Sequence, residues 1–217
     1  MRRIVTAASL LLGICLLPTL QGCVPIVTAG ATTGALATLD RRTLGTQTDD
    51  EAIEWKARAR TNERFADTIQ LSFTSYNRRV LISGEAPSEE VKAEIERIVS
   101  GVPQVQAVFN EVNIARLSSF SNRSNDSYIT TRVKARFVDA RKFNPIHVKV
   151  VTEAGVVYLL GLVTQAEADA AVQIARTTKD VRKVVTLFET ISAAKARELT
   201  PQTGEPAKPR NSPAASA

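Results

Sequence analysis

His147 is the only imidazole in the 217-residue chain, and its two thiols, Cys15 and Cys23, both lie near the start of the sequence. No His/Cys cluster is available for a soft-ligand zinc or haem site. A Ser-His-Asp or Cys-His set would have to be built on His147 alone. An enzyme is therefore not the expectation, and neither a metal nor a cofactor is called for. His147 falls in the alternating run Ile146, Val148, Val150, on the side opposite its apolar neighbours, as an exposed or interdomain residue. Gly84 and Gly161 stand apart from any GxGxxG or GxxxxGK pattern and are read as structural close-approach or turn positions. Asp49-Asp50 and Asn125-Asp126 fit helix caps better than a metal pair.

One constellation remains. On a helix starting at Asp126, Ile129, Val133 and Phe137 recur every four residues and form a structural row suited to packing on a sheet. Beside it, Tyr128, Arg132 and Arg136 form a second row, with Lys134 on another side. An aromatic ring among cationic groups outside the core row suits lipid headgroups, with the ring at headgroup depth and the arginines on phosphates. The alternative is that Tyr128 closes the core while the arginines are solvated or paired with carboxylates. The equivalent helix near the start holds Trp55 among Lys56, Arg58, Arg60, Glu51, Glu54 and Glu63, a mixed field. There Trp55 reads as a domain-packing residue ahead of a second lipid wedge.

The cysteines have a different use. Arg2 and Arg3 precede an apolar stretch, Ile4 to Leu17, too short for an ordinary membrane span, so residues 1–22 read as a secretory signal. Leu20-Gln21-Gly22-Cys23 resembles the bacterial lipobox, with Gln21 a mild departure from the usual small residue. Cleavage there would leave Cys23 carrying a thioether-linked diacylglycerol and an N-acyl chain. Several buried hydrocarbon tails hold where one holds only marginally. Val24 in place of Asp fits transport to the outer membrane, by resemblance to the lipoprotein class. Export also argues against nucleic acid as the partner of a chain with net charge +6.

The rest of the chain positions these groups. Residues 23–47, rich in Ala, Thr and Gly, read as a lipidated N-terminus and spacer, with a short helix around 33–42 as an option. Residues 48–116 and 126–192 read as two copies of one small domain, joined by a Ser/Asn-rich linker at 117–125. Gly84 matches Gly161, Ile95 matches Val172, and after a one-residue gap Val105 matches Val181 and Val108 matches Val184. Each copy runs helix, strand, strand, helix, strand. Thr164 and Glu167 are spaced as a capping box for the second helix of the second copy. The expected class is α+β, two tandem αββαβ domains, each a three-stranded mixed sheet packed against two helices. Residues 193–217, with Pro201, Pro206, Pro209 and Pro213, read as a disordered tail.

The duplicated unit, with Gly84 and Gly161 after the second strand, resembles the BON domain of bacterial envelope proteins. SNDSYITTRVKARF, from Ser124 to Phe137, and GVVYLLGLVTQAEADAA, from Gly155 to Ala171, carry the likeness best. Lipobox, spacer and two such domains together look like the dual-BON outer-membrane lipoproteins. That resemblance implies an outer-membrane protein facing the periplasm, binding anionic phospholipid through the first helix of the second domain and supporting envelope integrity and cell division. The alternative it leaves is an adaptor for envelope-assembly, division or peptidoglycan-remodelling proteins. The sequence sets no oligomeric state.

Overall fold

The computed structural model of the protein describes residues 40–115 and 120–200. The first repeat runs α1 (Leu44–Phe65), β1 (Gln70–Tyr76), β2 (Arg79–Ala86), α2 (Glu89–Ser100) and β3 (Ala107–Ile114). The second runs α3 (Phe120–Ala140), β4 (Lys149–Glu153), β5 (Val156–Val163), α4 (Gln165–Arg176) and β6 (Lys183–Thr190), followed by a short α5 (Ala193–Leu199). In each sheet the central strand pairs antiparallel with the preceding strand and parallel with the following one. The helix between the second and third strands is the crossover a parallel pair requires. This is the αββαβ arrangement, twice.

Local signals explain the crossover helices. Ser88 caps α2 by accepting from the Val91 amide, Glu89 and Glu90 sit at the positive end of its dipole, and Gly101 follows its last turn. In α4 the Thr164 side chain accepts from the Glu167 amide while Glu167 returns a carboxylate oxygen to the Thr164 amide, completing the capping box. The buried residues of α4 are Ala168, Ala171 and Ala175, where α2 buries Ile95 and Val99.

Strand alternation divides the apolar side chains into three layers of packing. Ile53 and Ala57 of α1, with Ile95 and Val99 of α2, cover Phe73, Val80 and Ile82 on one face of the first sheet. Ile129, Val133 and Phe137 of α3 cover Val148, Val150, Val157 and Leu159 in the same way. The opposite faces meet: Tyr76 and Leu81 of the first sheet join Tyr158, Leu160, Leu162 and Leu187 of the second in one buried cluster. The result is a four-layer α/β/β/α stack. At its seam Lys149 Nζ donates to Glu54 Oε1 at 2.9 Å, and Asn77 Nδ2 donates to Glu189 Oε2 at 2.9 Å.

Gly84 sits where the paired strand β1 approaches closely, and Gly161 where the 3-10 turn leading into β4 does. A Cβ on Gly84 would overlap the carbonyl oxygen of Gln70, and the backbone there has φ +122°. A Cβ on Gly161 would overlap the carbonyl oxygen of His147. Their structural role follows from this close approach.

Several expectations are corrected. Asp50 and Asp126 are not helix caps, because α1 begins at Leu44 behind Thr43 and α3 at Phe120, leaving both aspartates inside their helices. Both are buried and turn toward the neighbouring hairpin. Asp50 accepts from the amides of Asn77 and Arg78 at 2.9 and 2.7 Å, and Asp126 from those of Ala154 and Gly155 at 2.8 Å each. These two-residue turns hold both central residues at positive φ: 53° and 62° in the first, 48° and 74° in the second. Such turns match strand twist but strain non-glycine residues. A buried carboxylate on the helix satisfies their amides and offsets that strain.

The linker expected at 117–125 is helix from Phe120 onward. The spacer expected up to residue 47 is packed from Asp40, with α1 beginning at Leu44. The tail expected from 193 begins with α5, capped by Ser192 and anchored by buried Ala196. His147 is buried, 3% exposed, in a 3-10 turn at Pro145–His147 that Asn144 starts by accepting from the Ile146 amide. Cys23, the signal at 1–22, residues 33–39 of the optional short helix, and the Pro-rich segment 201–217 lie outside the described residues.

Candidate lipid-contact site

The site is built on α3. Ile129, Val133 and Phe137 are fully buried, and the Phe137 ring meets Phe143 edge-on at 5.0 Å. Thr130 Oγ1 donates to Thr152 Oγ1 at 2.7 Å, fixing the helix against β4. With that row facing the sheet, Tyr128, Thr131, Lys134, Ala135 and Val138, at helical steps of three and four, look outward. All five are exposed. Tyr128 and Val138 are among the most exposed large apolar side chains, at 55% and 59%.

The four residues singled out by spacing therefore separate. Tyr128 stands on the outward face. Arg132 stacks on it, its guanidinium carbon 5.3 Å from the ring centre and Nη1 3.5 Å from the phenol oxygen. The same Nη1 lies 3.8 Å from Asp180 Oδ2, an open ion pair that a phosphate can replace. Lys134 is exposed. Arg136 turns inward: Nη1 donates to Ile174 O at 2.9 Å and Thr178 Oγ1 at 2.7 Å, and Nη2 to Thr177 Oγ1 at 3.0 Å. It closes the C-terminal end of α4 with a cation where the helix dipole is negative.

Spacing alone missed Val138 and the exposed pair Arg141 and Lys142 just past α3. Val138 lies seven residues after Thr131, so the outward periodicity carried the signal once that face is identified. The basic pair was legible as two adjacent cations at a helix end. Ring, aliphatic group and cations on one side make a surface that can sit at headgroup depth on an anionic bilayer.

In the first repeat, Trp55 does not pack between domains: it is 70% exposed on α1, opposite Ile53 and Ala57. The other chemistry is structural. Glu167 receives Arg41 Nη1 and Nη2 at 2.7 and 2.9 Å, and His147 Nδ1 lies 3.8 Å from Oε1, the oxygen that accepts from Nη2. Among the described residues no group of three or more His, Cys, Asp or Glu is placed to hold a metal ion. No described helix is long and apolar enough to cross a membrane.

Comparison with known proteins agrees with this architecture. The chain is 40% identical over 173 residues to the outer membrane lipoprotein DolP of Haemophilus influenzae, covering 78% of this chain and 89% of that protein. It is 31% identical over 149 residues to a 21 kDa hemolysin of Actinobacillus pleuropneumoniae, covering 68% and 77%. It is 30% identical over 147 residues to the osmotically-inducible protein Y of Escherichia coli, covering 65% and 72%. The BON domain matches residues 49–116 and 125–191, the two αββαβ repeats. With both repeats matched and a relative this similar over most of its length, the chain belongs to the BON-domain family.

Proposed function

We propose that the protein is a non-enzymatic outer-membrane lipoprotein, held by diacylglycerol and N-acyl chains on Cys23 and facing the periplasm. Its second BON domain rests on anionic phospholipid and supports envelope integrity, including at division sites. Envelope and division proteins are its further partners. The observation that carries the lipid reading is the outward face of α3, where Tyr128 and Val138 stand exposed beside Arg132 and Lys134 while the opposite row is buried. Similarity to an outer membrane lipoprotein supports the location.

The contact is weak by design of its parts. Each cation near an anionic leaflet contributes about 1 kcal/mol, so the face orients the body while the acyl chains retain it. Arg136 is a positioning residue, joining α3 to α4, and Tyr128, Arg132 and Lys134 meet the lipid. Vesicle co-sedimentation of residues 40–200, which lack Cys23, tests the reading. Binding to phosphatidylglycerol-containing vesicles that weakens with salt and with Tyr128→Ser/Arg132→Gln supports it. Equal binding to neutral vesicles, or no loss in the variant, contradicts it.

A further inference from the structure

Trp55 is the only tryptophan of the chain, and it stands 70% exposed. Leu44, 66% exposed, lies eleven residues earlier, three helical turns, and so on the same side of α1. Between and beyond them this side carries Thr48, Ala52 and Ala59, too small to shield the indole. Ile53 and Ala57, on the other side of the helix, are buried against the first sheet. An exposed tryptophan with a leucine in line has an apolar body and a polar N–H, the pattern that settles at a membrane interface.

The repeat places this face independently. Asp50 and Asp126 bind equivalent hairpin turns, and the same offset carries Trp55 onto Thr131, at the centre of the outward face of α3. The two faces are thus the same surface of the two copies. In the four-layer stack they lie on opposite outer layers, since α1 covers the first sheet and α3 the second.

The unmatched reach of the N-terminal segment says which partner is at hand. Seventeen residue steps separate Cys23 from Asp40, which at full extension span about 60 Å. Four layers of helix and sheet are about 40 Å thick. A bilayer holding Cys23 is therefore within reach of either outer layer. Leu44, four residues into the packed body, is the exposed apolar group nearest that tether.

We propose that the Leu44–Trp55 face of α1 is a second lipid-contact surface, which the anchored protein lays on the bilayer in alternation with the Tyr128 face. It rests on the reading that Cys23 is acylated. Glu51 and Arg58 flank the indole with opposite charges, so this contact is driven by the indole and leucine and depends on anionic lipid less than the α3 face does.

The test uses the full lipidated chain in phosphatidylethanolamine/phosphatidylglycerol vesicles, with Trp55 as intrinsic probe and acyl-chain-brominated lipid as quencher. The expected result is emission shifted to shorter wavelength and quenched by brominated lipid, with a larger quenched fraction in Tyr128→Ser/Arg132→Gln, where the competing face is weakened. Unshifted, unquenched Trp55 emission overturns the proposal. So does a blue shift that appears in detergent without lipid and grows with protein concentration, which assigns the face to a second copy. A Trp55→Phe/Tyr128→Trp chain separates the two readings. If its indole is quenched while Trp55 of the wild-type chain is not, the α3 contact stands and the α1 contact fails; if neither is quenched, the lipid reading itself fails.

Discussion

Arg41 grips Glu167 across 126 positions of sequence, with Nη1 and Nη2 donating to the two carboxylate oxygens at 2.7 and 2.9 Å. Nη1 also reaches Leu162 O at 2.8 Å, and Nε reaches Thr200 Oγ1 at 3.3 Å. The next residue, Arg42, covers the Tyr76 ring at 4.0 Å and binds Asp50 at 2.8 Å. Two consecutive arginines thus tie the segment entering the first domain to the second domain as well, beside the buried seam. Arg41→Ala is expected to cost about 2 kcal/mol, since Glu167 keeps its capping-box partners. Denaturant unfolding of wild type and variant measures it.

The same pair has a pH signature. Burial pushes the Glu167 carboxyl up, but hydrogen bonds from Arg41 and Thr164 outweigh it and bring it from 4.5 down to about 2. A depressed acid contributes its full stabilisation above the unfolded value and loses it as pH falls through the folded one. Wild type is expected to lose part of its stability between about pH 4.5 and pH 2. Arg41→Ala should lose less over that window. Parallel curves for the two proteins would show that Arg41 does not hold the carboxyl ionised.

Asp126 and the Ala154-Gly155 turn carry a prediction of their own. Asp126→Ala leaves two turn amides without their acceptor beside a non-glycine residue at positive φ. A loss of about 2–4 kcal/mol is expected, with Asp126→Asn intermediate. Hydrogen exchange should show the β4–β5 turn amides losing protection first.

Gly84→Ala and Gly161→Ala both place a methyl group on a backbone carbonyl oxygen, that of Gln70 in β1 and that of His147 in the 3-10 turn before β4, and at Gly84 the φ of +122° adds backbone strain. Each is expected to destabilise by roughly 2–4 kcal/mol, with Gly84→Ala the worse. Thermal unfolding compares them directly.

Much of this fold was legible because its information is local and repeated. Alternation marked the strands, Thr164 and Glu167 marked a helix start, and the matching of Gly84 to Gly161 exposed the duplication. What escaped depends on distant partners. Asp50 and Asp126 looked like caps because Asp favours that place, and only the hairpin opposite reveals the amides they bind. Nothing near Arg41 in sequence announces Glu167. His147 was assigned by extending an alternation backward through a segment that Asn144 and Pro145 bend into a 3-10 turn. At the candidate site the buried row of α3 was readable. The turning of Arg136 toward α4 was not, because four-residue spacing leaves open how far a row rotates toward a neighbouring helix.

Arg136 and Lys134 should therefore behave oppositely. Arg136→Gln removes three hydrogen bonds to the end of α4 and is expected to lower stability by about 1–2 kcal/mol. Lys134→Gln should leave unfolding unchanged and weaken binding to anionic vesicles by about 1 kcal/mol, roughly fivefold, with a shallower salt dependence. Unfolding and vesicle titration on both variants separate the roles.

The most direct measurement of the central claim is amide chemical-shift mapping of residues 40–200 titrated with anionic micelles. The account predicts perturbations concentrated on Tyr128, Thr131, Arg132, Lys134 and Val138, absent with zwitterionic micelles and reduced by Tyr128→Ser. Perturbations that leave the outward face of α3 untouched would contradict it.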